Sequence, residues 1–188
     1  MNKSTILATL VGTLVLAACG PTGPAPQPPV GTPSAPANDE SQRGAQALVG
    51  FWTFTSTAQS ARSDTVKLSR VLDSSSSPGE YFVAGEDPEG NTAIGWYDVQ
   101  DRTYVVASGP TSLTRFFEFP TIAQGGSVSG IMWFSYGNST FSEDFPMVGK
   151  RVITSAAVKA AAGTTPVDRR TAEHMLEKAK AVWEQSKR

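Results

Sequence analysis

Residues suited to covalent or catalytic chemistry are few in this chain of 188 residues. It has one cysteine, Cys19, and one histidine, His174. A single cysteine excludes an internal disulfide and a multi-cysteine zinc site. A single histidine leaves one candidate base for Ser/His or Cys/His catalysis. Because His174 lies beside Glu173 in a predicted helix, its position favours a solvated or docked helix residue over a catalyst.

Cys19 directly follows a segment with the features of a secretory signal, residues 1–18. Lys3 supplies a short positive region, and the apolar run after it is shorter than the roughly 20 residues of a membrane-spanning helix. The sequence around the cysteine resembles the lipobox of bacterial lipoproteins, with small residues before the thiol: Leu16, Ala17, Ala18, Cys19 and Gly20. The alternative is an ordinary secretory signal that happens to contain a cysteine.

The lipobox resemblance implies a lipid anchor at Cys19. The thiol would form a thioether to diacylglycerol, and the new N-terminus would carry a further acyl chain such as palmitate. Two or more acyl chains hold a protein stably on a membrane without spanning it. Gly20 follows the cysteine, where aspartate is typical of inner-membrane retention. The resemblance therefore implies a lipid-anchored protein of the bacterial cell envelope, at the outer membrane.

Residues 19–47 are predicted to be a disordered tether. Seven of the 13 prolines lie between residues 20 and 45, and no aromatic residue does. Such a composition cannot bury a core and favours an extended chain. The segment is interpreted as a spacer between the lipid and the folded domain, with a proline-rich ligand for a partner as the alternative.

Residues 48–155 predict a mainly β domain. Sixteen of the 17 aromatic residues lie between Phe51 and Phe145, in short runs separated by turn signals. This pattern predicts a small antiparallel barrel or sandwich of about eight strands. The strands are predicted at 48–57, 64–72, 80–85, 92–98, 103–108, 112–119, 127–136 and 147–154.

Residues 156–188 are predicted to form a helical C-terminal tail. Residues 155–163 favour a helix, and a second helix is predicted over 166–187, with Thr165 as its N-cap and Pro166 as its first residue. Its apolar residues recur at helical spacing: Ala172, Met175, Leu176, Ala179, Val182 and Trp183. Such a stripe favours docking on the β domain, with a partner-binding or membrane-surface helix as the alternatives.

The motif Gly50-Phe51-Trp52 in the first strand and Arg151 in the last strand resemble the lipocalin, or calycin, pattern. In that pattern the late basic residue packs on the tryptophan ring, a favourable cation–π pair. The general composition also resembles META-type bacterial lipoprotein domains. The resemblance implies structural roles for Gly50, Trp52 and Arg151. The alternative is that Trp52 is a core aromatic of another β fold.

Motifs for catalysis or cofactor binding are missing. Neither a nucleophile elbow nor a nucleotide-binding glycine loop occurs, so the sequence predicts a protein that is not an enzyme and has no cofactor. Acidic residues at neighbouring turns are interpreted as solvated, with a loose calcium site as the alternative: Glu86, Asp87, Glu89, Asp98 and Asp101. No metal site is therefore predicted. With 16 basic and 17 acidic residues, nothing indicates nucleic-acid binding.

Two functions remain open at this point. The first is a non-catalytic interaction or structural module of the envelope, whose partner is another envelope protein. The second is a lipocalin-like carrier or sensor of a small apolar ligand, since an eight-stranded barrel has room for at most one such ligand. A short barrel is more often filled by its own side chains, which favours the first.

Overall fold

A computed structural model describes residues 37–58, 62–137, 140–152 and 167–187. The signal segment, Cys19 and the predicted helix at 155–163 lie outside these residues. The described elements, in chain order, are α1 (Ala37–Leu48), β1 (Gly50–Ser56), β2 (Ser63–Asp73), β3 (Tyr81–Glu86), β4 (Thr92–Asp98), β5 (Thr103–Ser108), β6 (Leu113–Phe119), β7 (Ser127–Tyr136), β8 (Thr140–Phe141), β9 (Phe145–Val152) and α2 (Arg169–Ser186). No helix among the described residues is both long and apolar enough to cross a membrane.

The strands form one closed antiparallel barrel. Each strand from β1 to β7 pairs with the next, and β9 closes the sheet by pairing with both β7 and β1. The short strand β8 pairs with the same edge of β7 beyond the end of β9, so eight strands complete the wall and one is extra. The predicted mainly β fold is therefore confirmed, and of the two predicted alternatives, barrel and sandwich, the barrel is correct.

The barrel interior holds one of two apolar cores. Side chains alternate between the two faces of a strand, so every second residue points inward. The inward residues include Trp52, Phe54, Phe117 and Phe119, all fully buried. Helix α1 packs against β2, β3 and β4 and contributes Leu48 to this core. The end of the barrel beside α1 is called the α1 end below, and the opposite end is called the Asp64 end.

The second core lies outside the barrel, under α2. The apolar stripe of α2 buries Ala172, Leu176, Ala179 and Trp183 against outward residues of the sheet, Trp96 among them. Strands β3, β4 and β5 are therefore buried on both faces. The predicted docking of the C-terminal helix on the β domain is confirmed, and it explains why residues 131–134 of β7 look apolar on both faces.

Two predicted boundaries are wrong. The predicted tether extends to residue 47, but α1 begins at Ala37, because Asp39 and Glu40 suit a helix N-terminus and Ala45 is buried. The C-terminal helix begins at Arg169 rather than 166. Its N-cap is Asp168, whose carboxylate accepts a hydrogen bond from the Thr171 backbone N–H at 3.1 Å.

Candidate functional site

The α1 end of the barrel brings together the three residues of the calycin-like pattern. Trp52 and Arg151 are direct partners on β1 and β9, and the Arg151 guanidinium lies 5.7 Å from the centre of the indole ring. The indole N–H donates to the Leu48 carbonyl at 2.7 Å, and Arg151 Nη1 donates to the Ala47 carbonyl at 3.0 Å. Both side chains therefore fasten the end of α1 to the barrel, which is a structural role.

Gly50 is required by the same contact. Its φ is 145°, which side-chain-bearing residues rarely adopt, and a Cβ there would lie 2.8 Å from Arg151 Cδ. A larger residue would strain the backbone and push the arginine stem away from Trp52. The glycine of the motif thus makes room for the arginine.

Aromatic rings fill the half of the interior above this contact. Trp52 stacks on Phe54 with ring centres 5.8 Å apart, and Phe54 stacks on Phe117 at 4.3 Å. Phe119 contacts Trp52 at 5.9 Å and Tyr104 at 5.5 Å. Burial raises the pKa of the Tyr104 phenol, with the neighbouring Tyr97 as a smaller cause. These rings occupy the space in which a barrel of this type would hold an apolar ligand.

The Asp64 end carries a charged cluster centred on Arg115. Arg115 shares the inward face of β6 with Phe117, and its side chain is 11 % exposed. Its guanidinium lies 3.4 Å from Asp64 and 3.8 Å from each of Asp87 and Glu89. The Asp64 and Asp87 side chains are 7 % and 0 % exposed, so two carboxylates and one guanidinium are withdrawn from water together.

Asp87 is also the centre of the turn between β3 and β4. Its carboxylate accepts hydrogen bonds from the backbone N–H of Asn91 at 2.8 Å and of Glu89 at 3.1 Å. The side-chain amide of Asn91 donates to both of its oxygens. Arg62 pairs with Asp64 at 3.3 Å from the rim. Arg115 Nε and Ser108 Oγ are buried without a hydrogen-bond partner among the described residues.

This cluster has the chemistry of a charge-compensated network. Each buried acid faces Arg115, and His174 is exposed on α2, which contributes no side chain to these ion pairs. Among the described residues no group of three or more histidine, cysteine or acidic side chains could hold a metal ion. The grouping of the acidic turns into one neighbourhood is wrong, because Asp87 and Asp98 lie at opposite ends of β4.

A row of ion pairs holds one flank of α2 on the barrel. Arg169 contacts Asp73 at 3.1 Å, Lys180 contacts Glu80, and Lys187 contacts Asp101. Hydrogen bonds from Arg169 and Ser75 hold the pKa of Glu173 below its usual value. The stabilisation that these bonds provide is therefore present above the usual pKa of a glutamate and lost as the pH falls through the lowered one.

Concave sites lie on the outer surface beside α2. A groove of 310 Å³ separates α2 from β6, β7 and β8. A more polar hollow of 360 Å³ lies between α2 and the β4–β5 turn, and a third of 200 Å³ lies next to Trp133. These three recesses lie outside the barrel, around the helix.

The Arg115 cluster is absent from the sequence-based predictions. A signal for it exists, because Arg115 stands in the same alternation phase as Phe117 and Phe119, which are expected to face inward. Charged residues are usually assigned to the solvent face, and only the buried acids of β2 and the β3–β4 turn make an inward arginine favourable. The acids that neutralise it lie 51 and 28 residues earlier in the chain.

No protein-family model matches the chain, and no curated protein matches its sequence. By its fold the protein is a closed eight-stranded antiparallel barrel with a helix docked on its outer face.

Proposed function

We propose that this protein is a membrane-anchored lipoprotein of the bacterial envelope, acting as a non-catalytic interaction or structural module. The observation that carries this proposal is the aromatic packing of the interior, where Phe54 and Phe117 stack at 4.3 Å. A barrel filled by its own rings has little room for cargo, so recognition falls to the outer surface. The fold is compatible with a lipocalin-like barrel whose interior is filled by its own side chains instead of holding a ligand cavity.

The polar Asp64 end supports the same proposal over a carrier of an apolar ligand. A ligand entering from that end would have to pass the buried charges of Arg115, Asp64 and Asp87. Moving an apolar molecule past ionised groups would strip their remaining hydration without providing new hydrogen bonds. A small apolar cargo inside this barrel is therefore disfavoured.

Site-specific photo-crosslinking in the native envelope tests the interaction module. A photo-reactive residue at exposed Val148 or Val152 is expected to give a discrete adduct with another envelope protein, while one at buried Val106 gives none. The contrary result is an unmodified surface together with an apolar small molecule that co-purifies with the protein and is detected by native mass spectrometry. That result would favour the carrier.

The anchor is tested by the change Cys19→Ala. Because only a thiol can form the thioether to diacylglycerol, we expect complete loss of lipid labelling and release of the protein from the membrane fraction. Metabolic labelling with an alkyne fatty acid measures this loss. Ser34→Ala, a change elsewhere in the predicted tether, is the control that should keep its label. Persistent labelling of the Cys19→Ala chain would disprove the lipobox assignment.

A further inference from the structure

The 310 Å³ groove beside α2 has an apolar floor and an open mouth. Phe141 from β8 and Met175 and Val182 from the helix, all partly exposed, line it. Tyr136 at its rim is 43 % exposed, one of three large apolar side chains that are exposed among the described residues. The volume lies at the lower limit of small-ligand sites, which span about 300–1,000 Å³. A single short alkyl chain fits this description better than a two-chain lipid.

The charge of the groove is one-sided. Lys178 is the one charged residue among the described residues that line it, and none of these is acidic. On the opposite flank of α2, Arg169, Lys180 and Lys187 each have an acidic partner. Lys178 has no ion pair within the described part of the chain. The groove therefore presents an apolar trough with one ammonium at its edge that no acidic side chain of the described residues neutralises.

We propose that this groove binds an amphiphile with a short alkyl chain and a single carboxylate, the chemistry of a medium-chain fatty acid. The carboxylate would pair with the Lys178 ammonium, and the chain would lie along Phe141 and Met175, which line the groove and are partly exposed. Methionine adapts its shape to a flexible chain more readily than a branched residue does. A cationic amphiphile would meet Lys178 with a like charge, and a neutral alcohol would leave it without a counter-ion. This site is independent of the lipid anchor and of the barrel interior.

Octanoate is a suitable probe, titrated into the full chain carrying Cys19→Ala and kept free of detergent. Binding is followed by NMR through the Met175 methyl group and the backbone amides of β6 and α2. We expect saturable shifts confined to the groove, with weaker binding of octanol and of octyltrimethylammonium. Lys178→Gln should weaken octanoate binding about threefold, as befits an exposed ion pair, and should remove the preference over octanol.

A second variant separates the groove from the charge. Ala181 is exposed at the groove wall, so Ala181→Trp fills the recess without removing a buried side chain and should lower octanoate affinity more than tenfold. Lys150→Gln, on the exposed outer face of β9, is the matched charge control and should bind as the unchanged protein does. Unchanged folding of each variant is checked by its amide spectrum.

Three outcomes would overturn the proposal. Equal affinities for octanoate and octanol would remove the role of Lys178, and shifts centred on Val106 or Phe54 would place the ligand inside the barrel. Binding of a peptide with a C-terminal leucine, when octanoate gives no saturable shift, would make the groove a peptide site instead. Loss of membrane anchoring, by contrast, would leave these titrations unchanged and would affect only the proposed envelope function.

Discussion

Replacing Trp52 by alanine is expected to lower the free energy of unfolding by about 3–5 kcal/mol, the range for removing a fully buried aromatic side chain. The ring is inaccessible to solvent, stacks on Phe54 and contacts Phe119. The substitution also removes the donor to the Leu48 carbonyl and the ring under Arg151. Urea unfolding followed by circular dichroism measures the loss, because most of the secondary structure is in the barrel.

The neighbour Thr53 provides the matched control. It lies on the same strand but on the outer face, where it pairs with Thr65 and Lys150. Thr53→Ala should cost less than about 0.5 kcal/mol, the usual range for surface changes. If both variants unfold at the same urea concentration as the unchanged protein, Trp52 does not organise the α1 end. A loss for Trp52→Phe of less than half that for Trp52→Ala would assign most of the effect to ring packing.

Most of the strand positions are predictable because their signals are local. Turn residues interrupt the apolar runs, as at Pro88 and Gly90, and alternation within each run marks the two faces. The predicted strand at 127–136 and the predicted strand at 103–108 coincide with β7 and β5. Period-two alternation has the same appearance in a barrel and in a sandwich. The pairing of β1 with β9 closes the sheet and makes the fold a barrel. The local sequence of either strand does not indicate this pairing.

The errors also have physical causes. Helix α1 follows a proline-rich stretch, and its polar residues conceal the few positions that it buries, chiefly Ser41, Ala45 and Leu48. A helix of 12 residues is marginal alone and depends on the barrel for its stability. Gly44 illustrates this dependence, because a Cβ there would lie 2.2 Å from Tyr97 Cβ. Only the packed structure shows that α1 and β4 approach so closely.

The candidate site was predictable in part. The resemblance to the calycin pattern brings Gly50, Trp52 and Arg151 together, and the structure places them in contact. The groove beside α2 depends on the angle at which the helix crosses the sheet. The apolar stripe of the helix shows which face is buried, but it does not show this angle. In the sequence, nothing distinguishes Lys178 from the other lysines of this segment, Lys180 and Lys187. Among the described residues Lys178 has no acidic partner, because the acids of the barrel that pair with α2 face its other flank.

Replacing Arg115 by methionine is expected to destabilise the protein by about 3–5 kcal/mol, the usual cost of removing one partner of a buried ion pair. Methionine keeps much of the arginine stem, so the cost comes from the charge. Asp64 and Asp87 would remain buried, and each would lose the guanidinium that compensates it. Thermal and urea unfolding at neutral pH measure the effect. Arg62→Met, at a side chain 46 % exposed, is the control and should cost less than about 1 kcal/mol.

A combined variant distinguishes the charge from the packing. In Arg115→Met with Asp64→Asn and Asp87→Asn, no uncompensated charge remains among the three buried positions, and asparagine can still accept bonds in the turn that Asp87 organises. We expect this triple variant to be more stable than Arg115→Met alone, because a whole buried ion cluster contributes less than its broken half costs. A triple variant as unstable as the single one would show that the stem of Arg115 and its packing, rather than its charge, hold the Asp64 end of the barrel together.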